Sequence, residues 1–183
     1  MMFIVEHLEP DMFEWCVLEY KHIAQMVGKD NVMFTNVKKH AERLQGLKVV
    51  RESVADLKLQ NALVLDPAAK DVLSSKDKPA YVILGGILGD HPPKARTGKE
   101  LSSRLPFPTR HMGKKQFSTD NAVFVARELL LGKQLKDIPL QDEIEIVLND
   151  VESVILPFTY VLINGEPLIP PGLKEYLLER DEF

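Results

Sequence analysis

The sequence is short of residues on which several common kinds of site depend. Cys16 is the one cysteine, which excludes an internal disulfide framework, and the five histidines stand singly, without the Cys/His spacing of a zinc site. No apolar run approaches the roughly 20 residues that cross a bilayer, and Glu6 interrupts the first apolar stretch too early for a signal peptide. We therefore expect a cytoplasmic protein without a metal site and without a membrane partner.

Familiar catalytic signatures are also missing. A Rossmann fingerprint requires G-x-G-x-x-G near the first strand, whereas the glycines here read G-G-x-x-G after the fourth apolar run. The Gly113-Lys114-Lys115 turn lacks the upstream glycine and the hydroxyl of a Walker loop, and G-x-S-x-G is absent. Cys16 has no evident base beside it. Nicotinamide, Walker-type phosphate and hydrolase chemistry are therefore poor matches.

Charge is distributed unevenly along the 183 residues, although the net charge is only -4. The segment 94–115 is strongly basic, and the acids outnumber the bases from Lys133 onward. A basic segment suits phosphate or an acidic surface, and an acidic segment suits a cationic substrate. Solvated surface without a partner is the alternative for both segments.

Short apolar runs predict a parallel sheet. The runs lie at 3–5, 32–34, 62–65 and 81–84. They are continuous instead of alternating, as in strands that are covered on both faces, so we expect an α/β fold, a mostly parallel sheet with flanking helices. Ligands gather at the carboxyl ends of such strands, where Glu6, Asp66 and the segment 85–90 fall.

The helical signals are clearest near the N-terminus. Asp11 and Glu14 predict a capping box, and Gly28 the end of the helix. Two stripes of residues run along this helix. The core stripe is Phe13, Cys16, Val17, Tyr20, Ala24 and Val27, and the second stripe is Trp15, Glu19, His22 and Met26. We expect the second stripe to pack against another helix or a dimer partner in preference to contacting a substrate. Further helices are expected at 37–47, at 98–104, from Ser118 or Thr119 to Gly132, and at 173–179. Strands are expected at 143–148 and 154–163, followed by a tight turn at Asn164-Gly165.

The segment 81–93 is the most informative part of the chain. An apolar run leads into Gly85, Gly86 and Gly89, followed by Asp90-His91-Pro92-Pro93. Glycines leave the backbone open to a ligand. A second glycine turn at 111–113 precedes another predicted helix. We interpret the two turns as walls of one cofactor pocket, with simple turn formation as the alternative.

These segments carry a resemblance to a known family. The chain resembles the SPOUT-class methyltransferases, which have a deep trefoil knot and include a fungal enzyme that methylates an arginine of a small-subunit ribosomal protein, as well as archaeal relatives labelled RNA methyltransferases. The resemblance covers nearly the whole chain. It is carried by Ile4-Val5-Glu6-His7, Glu14-Trp15, Leu18-Glu19-Tyr20, Leu65-Asp66-Pro67, 85–93 with Arg96-Thr97, 113–116 with Ser118-Thr119-Asp120, and 157–161.

The resemblance implies one SPOUT domain over 1–183. Its N-terminal βα part would be 1–80, the cofactor-binding knot region 81–135, and the C-terminal strands and helix 136–183. A knot is exceptional among protein folds, and only the resemblance implies it.

The resemblance also implies S-adenosylmethionine as the cofactor, held by loops at 85–90, 106–108 and 111–119. Leu84, Ile87 and Met112 would sandwich the adenine ring, and the glycines would admit main-chain contacts. The candidate cofactor residues are Leu84, Gly85, Gly86, Ile87, Gly89, Asp90, Phe107, His111, Met112, Gly113, Gln116, Ser118 and Thr119.

An arginine acceptor would require carboxylates near the methyl group. A guanidinium has a pKa above about 12, so it must be held by acids and lose a proton during or after attack. The candidate catalytic residues are Glu6, Glu19 and Asp90, with Asp66 as a further candidate. A turn or helix cap is the alternative for Asp90, and His7 is expected to be a structural hydrogen-bonding residue and not a base.

We expect in-line methyl transfer to an arginine of a ribosomal or other translation-associated protein. Methylation of rRNA or tRNA is the alternative, with the basic segment on phosphates, although the chain is acidic overall and its aromatic residues are few. A non-catalytic S-adenosylmethionine-binding module on the ribosome is the third reading. The oligomeric state is left open, and a homodimer is one alternative, since many SPOUT enzymes are dimers.

Overall fold

The computed structural model describes residues 1–89 and 94–179, and the predicted turn Asp90-His91-Pro92-Pro93 lies outside the described residues. Five strands form one sheet in the order β2-β1-β4-β3-β5, and every described strand pair in it is parallel. The predicted parallel sheet is therefore confirmed. The strands are β1 (Met2–His7), β2 (Val32–Thr35), β3 (Ala62–Leu65), β4 (Tyr81–Gly86) and β5 (Thr109–Arg110).

Both faces of this sheet are covered, which explains its continuous apolar strands. On one face Val5 and Leu84 pack in a cluster with residues of helices α1 (Glu14–Val27) and α3 (Thr119–Leu130). On the other face Ile4 and Ile83 pack under Leu101, which lies between helix α2 (Arg96–Glu100) and a 3-10 turn at Ser102–Arg104. Successive strand residues point to opposite faces, so neighbours in one strand meet different partners.

Helix α1 begins without the predicted capping box. Phe13 is the N-cap and makes no side-chain capping bond. The Asp11 carboxylate accepts instead from the Met12 N–H at 2.8 Å, and Glu14 pairs with Arg43. The predicted end is confirmed, because Gly28 has a φ of +87° and donates its N–H to the Ala24 carbonyl.

The two stripes of α1 face different partners. Cys16, Val17, Tyr20 and Ala24 are buried in the sheet-facing core. The second stripe faces α3: His22 Nδ1 lies 2.7 Å from the Asp120 carboxylate, and Arg127 donates to the Met26 carbonyl at 2.7 Å. The predicted packing against a neighbouring helix is therefore confirmed for His22 and Met26, whereas Trp15 and Glu19 of the same stripe line a cavity.

The predicted helix at 37–47 is wrong. Only a 3-10 turn at Ala41–Leu44 forms there, after His40 at a φ of +53°. The backbone at the end of β2 and just after it pairs with another segment instead, since Phe34 bridges Val49 and the Val37 N–H donates to the Val50 carbonyl at 3.2 Å. Backbone pairing with a neighbouring segment thus overrides the local helical pattern.

The C-terminal part forms a second, antiparallel sheet in the order β6-β7-β8. Asn164 and Gly165 have φ values of 53° and 89°, which confirms the predicted tight turn. Trp15 of α1 packs against the cluster formed by this sheet and the last helix, so the two ends of the chain share a core. The elements are β6 (Leu140–Val147), β7 (Ser153–Ile163), β8 (Glu166–Pro167) and α4 (Leu173–Leu178).

Within residues 1–89 and 94–179, no helix is both long and apolar enough to span a bilayer. Strand order by itself does not reveal how the chain threads through its own loops. The trefoil knot and the three-part division of the domain therefore stay predictions.

Candidate active site

A cavity of about 410 Å³ opens at the carboxyl ends of β3, β4 and β5. This volume is typical of small-molecule sites, and the position is the one that parallel sheets favour. Both predicted glycine turns reach it, as expected. The candidate residues that line it are Leu84, Gly85, Ile87, Gly89, His111, Met112, Gly113, Gln116 and Thr119.

The walls of this cavity fit a nucleoside with an attached amino acid. Leu84, Ile87 and Met112 are apolar and line the same space, as a purine ring requires. Gly113 has a φ of +93°, which L side chains rarely adopt, so a glycine is needed at this turn. We therefore find the residues compatible with S-adenosylmethionine.

Asp66 is the one carboxylate among the described residues that line this first cavity. It is 6% exposed, and its Oδ1 accepts from the Ala68 N–H at 2.8 Å. Its Oδ2 would lie 3.7 Å from a β-carbon on Gly98. A carboxylate in this place suits ligand hydroxyls or an ammonium group.

Other lining residues were not among the individual candidates from the sequence, although Lys114, Lys115 and Phe117 fall within the loop 111–119 that the resemblance implied. Leu65 precedes Asp66 at the end of β3, and its strand-end position was the available signal. The additional lining residues include Leu65, Pro67, Ala68, Arg110, Lys114, Lys115, Phe117 and Ala122.

Three of the cofactor candidates that the structure describes do not line the first cavity, and Asp90 lies outside the described residues. A β-carbon on Gly86 would overlap the Tyr20 hydroxyl, so this glycine makes room for a core side chain and not for a ligand. Phe107 packs against the apolar cluster on the other face of the sheet. Ser118 lines a different cavity and donates to Asp120 at 2.6 Å.

Glu6 does not face a cavity among those that the structure describes. Its carboxylate accepts from the Ser53 hydroxyl at 2.6 Å, from the Val54 N–H at 2.9 Å and from the Thr35 hydroxyl. It points to the sheet face away from α1, where these donors bind it. The expectation that Glu6 faces the cofactor pocket is therefore wrong.

A second cavity of about 340 Å³ lies beside the first. The two cavities share Ile87, Gly89 and Phe117 as lining residues, so they meet at one wall. The remaining residues of the second cavity are Phe13, Trp15, Glu19, Leu88, Ser118, Phe158 and Tyr176. It is thus an aromatic cavity with one carboxylate.

Glu19 is only 4% exposed. Trp15 Nε1 donates to its Oε1 at 3.2 Å, and the hydroxyl and amide of Thr119 also interact with the carboxylate. Burial, and then the charge of the nearby Asp120, raises the pKa of Glu19 to about 8. Asp120 itself is fully buried and contacts His22. Of the three proposed catalytic acids, Glu19 is the one that the structure brings to a cavity; Asp90 lies outside the described residues.

Two other titratable groups are structural. His7 Nδ1 lies 2.9 Å from the Tyr20 hydroxyl, and burial lowers the pKa of the imidazole, which agrees with the expected structural role. Burial raises the pKa of the Cys16 thiol to about 12, so it is a poor nucleophile. No cluster of potential metal ligands occurs within residues 1–89 and 94–179.

Much of the basic segment is paired with acids. Arg96 donates to Glu9 and to Glu100, both at 2.8 Å. Arg110 donates to Asp77 at 2.8 Å. Because pairing neutralises these side chains, the segment is less suited to a continuous row of phosphates than its composition indicates.

Comparison with known proteins agrees with this site. A family model described as "Protein arginine N-methyltransferase SFM1-like" matches residues 2–182. The SFM1 protein arginine N-methyltransferase of Saccharomyces cerevisiae is 34% identical over 205 residues, covering 99% of this chain and 95% of the relative.

Solved structures of yeast SFM1 are also similar. The complex with S-adenosylmethionine has a TM-score of 0.88 at 33% identity and covers 97% of this chain and 90% of its own. The complex with S-adenosylhomocysteine has a TM-score of 0.87 at 33% identity, with 96% and 94% covered. A dual-specific Trm10 from Thermococcus kodakaraensis shares the SPOUT fold alone. It is 19% identical, with a TM-score of 0.55, and the match covers 74% of this chain and 95% of the Trm10 chain.

Proposed function

The chain belongs to the SFM1-like family of protein arginine N-methyltransferases, and we propose that its acceptor is an arginine of a ribosomal or other translation-associated protein in the cytoplasm. It is an S-adenosylmethionine-dependent enzyme with a SPOUT fold. The proposal concerns the identity of the protein substrate and the roles of individual residues.

The first cavity is the proposed cofactor site. S-adenosylmethionine, when bound, supplies a methyl group on a positively charged sulfur. Leu84, Ile87 and Met112 pack around the purine, and the Asp66 carboxylate accepts from hydroxyls or the ammonium group. The glycine at 113 keeps the second turn in the conformation that encloses the ligand.

The acidic surface of the β6–β7 ribbon is the observation that carries the ribosomal proposal. Glu143, Glu145, Asp150 and Glu152 are exposed there. Phe158 of the same ribbon lines the second cavity, so the acids lie on an element that reaches the site. Proteins that bind RNA carry basic surfaces, and an acidic surface attracts them.

Methyl labelling tests this proposal. Purified ribosomes and a ribosome-free extract would each be incubated with the enzyme and S-adenosylmethionine carrying a radioactive methyl group, and then treated with nuclease or protease. We expect label in a ribosomal protein band that survives nuclease.

Label confined to the ribosome-free extract, or no label in either sample, would overturn the ribosomal assignment. Label that is lost with nuclease would favour RNA methylation instead. The same samples analysed by mass spectrometry would locate the methyl group on arginine.

A further inference from the structure

One carboxylate that lies outside both cavities binds two of their wall elements. Glu9 lines neither the first nor the second cavity, and its side chain is 9% exposed. Its Oε1 atom accepts from the Leu88 N–H at 2.9 Å and from Arg96 Nη1 at 2.8 Å. Glu9 therefore connects the loop that follows β4 with the start of helix α2.

Both elements that Glu9 connects border the first cavity. Ile87 and Gly89, the chain neighbours of Leu88, line it, and they also line the second cavity. Residues 96–98 of α2 line the first cavity as well. We call the loop 87–89 the cofactor loop. Its position relative to α2 sets the shape of the first cavity, so the contact through Glu9 acts on that shape from outside.

The Arg96 guanidinium is occupied by acceptors of the protein itself. Its Nε donates to Glu100 Oε1 at 2.8 Å, and its Nη2 donates to Glu100 Oε2 at 3.2 Å and to the Leu8 carbonyl at 3.1 Å. With the bond to Glu9, four of its five N–H groups are used. A ligand carboxylate would need two donors side by side. Arg96 therefore acts on the walls of the cavity and not on the cofactor.

The backbone directly before Arg96 is strained. Ala95 lines the first cavity, and its φ of +51° lies in the left-handed region, which alanine rarely adopts. Backbone strain of this kind persists where surrounding contacts hold it, and it is found at ligand clamps. Because Arg96 is the next residue, its bonds within α2 and to the loop after β1 hold this conformation in place.

We infer that Glu9 and Arg96 are positioning residues of the methyltransferase: their ion pair holds the cofactor loop and α2 in the cofactor-binding arrangement before the cofactor arrives. This inference rests on the proposed function, because it takes the first cavity as the cofactor site. A preformed cavity spares the ligand the entropy cost of ordering its walls. Without the pair, S-adenosylmethionine has to order the cofactor loop on binding, and its affinity falls.

Calorimetry with S-adenosylmethionine tests this inference on wild type, Glu9→Ala, Arg96→Gln and the double variant. Glu128→Ala is the matched control, because the Glu128 side chain is 10% exposed and pairs with Arg127 and Lys133 but lines neither cavity. Urea unfolding would measure the stability of each protein, and far-UV circular dichroism would verify that each variant is folded.

We expect Glu9→Ala and Arg96→Gln each to weaken S-adenosylmethionine binding about tenfold. Glu128→Ala should bind as wild type does, as should Glu166→Gln, a second control on exposed strand β8. Because Glu9 and Arg96 act through a shared contact, the double variant should bind no more than about thirtyfold more weakly than wild type. Independent losses, which would multiply to about a hundredfold, would overturn the pair as a unit.

Hydrogen exchange followed by mass spectrometry separates positioning from general destabilisation. In Glu9→Ala without cofactor, the peptide that covers 87–89 should exchange about tenfold faster at the Leu88 amide, because that N–H loses its acceptor. The amides of strand β3 should change only as far as the stability measured in urea changes. Saturating S-adenosylmethionine should restore slow exchange at 87–89. Equal acceleration in both segments would leave the pair a purely structural contact and overturn the inference.

The same measurements distinguish this inference from the proposed function. Wild-type S-adenosylmethionine affinity in Glu9→Ala would overturn the positioning role and leave the proposed function standing. If Glu9→Ala fails to fold, Arg96→Gln decides by the same calorimetry and exchange criteria. Failure of wild type to bind S-adenosylmethionine would refute the proposed function and the inference together.

Discussion

Replacing Glu19 with glutamine should change how the free energy of unfolding depends on pH. The pKa of Glu19 is raised from 4.5 to about 8 in the folded protein. Between these two values the native state holds a proton that the unfolded chain has released, so stability falls as pH rises. Glutamine does not titrate, and the variant should lack this part of the decline.

The magnitude follows from the shift. One bound proton changes the free energy of unfolding by about 1.4 kcal/mol per pH unit. Across the interval from pH 4.5 to about 8, the total is about 5 kcal/mol. Near pH 5 the variant should be about 1 kcal/mol less stable than wild type, because glutamine offers one acceptor oxygen to Trp15 and Thr119 where the carboxyl group offers two.

Urea unfolding at half-unit steps from pH 5 to 9, followed by far-UV circular dichroism, measures this difference. Fluorescence is less suitable here because Trp15 contacts Glu19 directly. Wild type and Glu19→Gln should diverge as pH rises, with the variant the more stable protein above pH 8, whereas Glu166→Gln should follow wild type. Parallel curves for wild type and Glu19→Gln would show that Glu19 is ionised in the native protein at neutral pH.

Three further substitutions test the other assignments. Gly86→Ala should cost about 1–3 kcal/mol in thermal unfolding because the new methyl group overlaps the Tyr20 hydroxyl; reduced cofactor affinity at unchanged stability would contradict this structural role. Glu6→Ala should cost about 3 kcal/mol or more, since the donors from Thr35, Ser53 and Val54 lose their acceptor; a fully stable variant in urea unfolding would show that these contacts are dispensable. Asp66→Asn preserves an acceptor for the Ala68 N–H but should lower S-adenosylmethionine affinity about tenfold by calorimetry; wild-type affinity would exclude Asp66 from the cofactor site.

The local sequence pattern was sufficient to predict secondary structure where burial alone determines it. Continuous apolar runs predicted the strands at 62–65 and 81–84 because a strand covered on both faces requires such a run. The helical stripe with His22 was predicted to meet another helix, and it contacts Asp120 of α3. The pattern failed at 37–47, where Val37 pairs with Val50 and a 3-10 turn forms at Ala41–Leu44. No local signal reports a partner at that sequence distance.

The candidate site likewise combines features that the sequence predicts with features that depend on tertiary packing. Gly85 and Gly86 are neighbours in one strand, and the sequence pattern does not distinguish them, yet Gly85 lines the first cavity and Gly86 accommodates Tyr20. The pleat of the strand sends them to opposite faces, but which face meets the ligand depends on how the helices pack. Phe107 likewise belongs to the core on the far face.

The amino-acid sequence by itself determined the parallel sheet and the glycine turns at its carboxyl edge, because periodicity and residue type record burial and backbone freedom directly. The family and its methyl donor followed from the resemblance of the sequence to known methyltransferases. Only the tertiary structure decided which acid reaches a cavity. Glu6 and Glu19 both occupy apolar elements, but Glu6 is surrounded by donors from 35 and 53–54, whereas Glu19 meets aromatic rings from α1, β7 and α4. The chemistry of a carboxylate depends on neighbours that are distant along the chain, and folding alone brings them together.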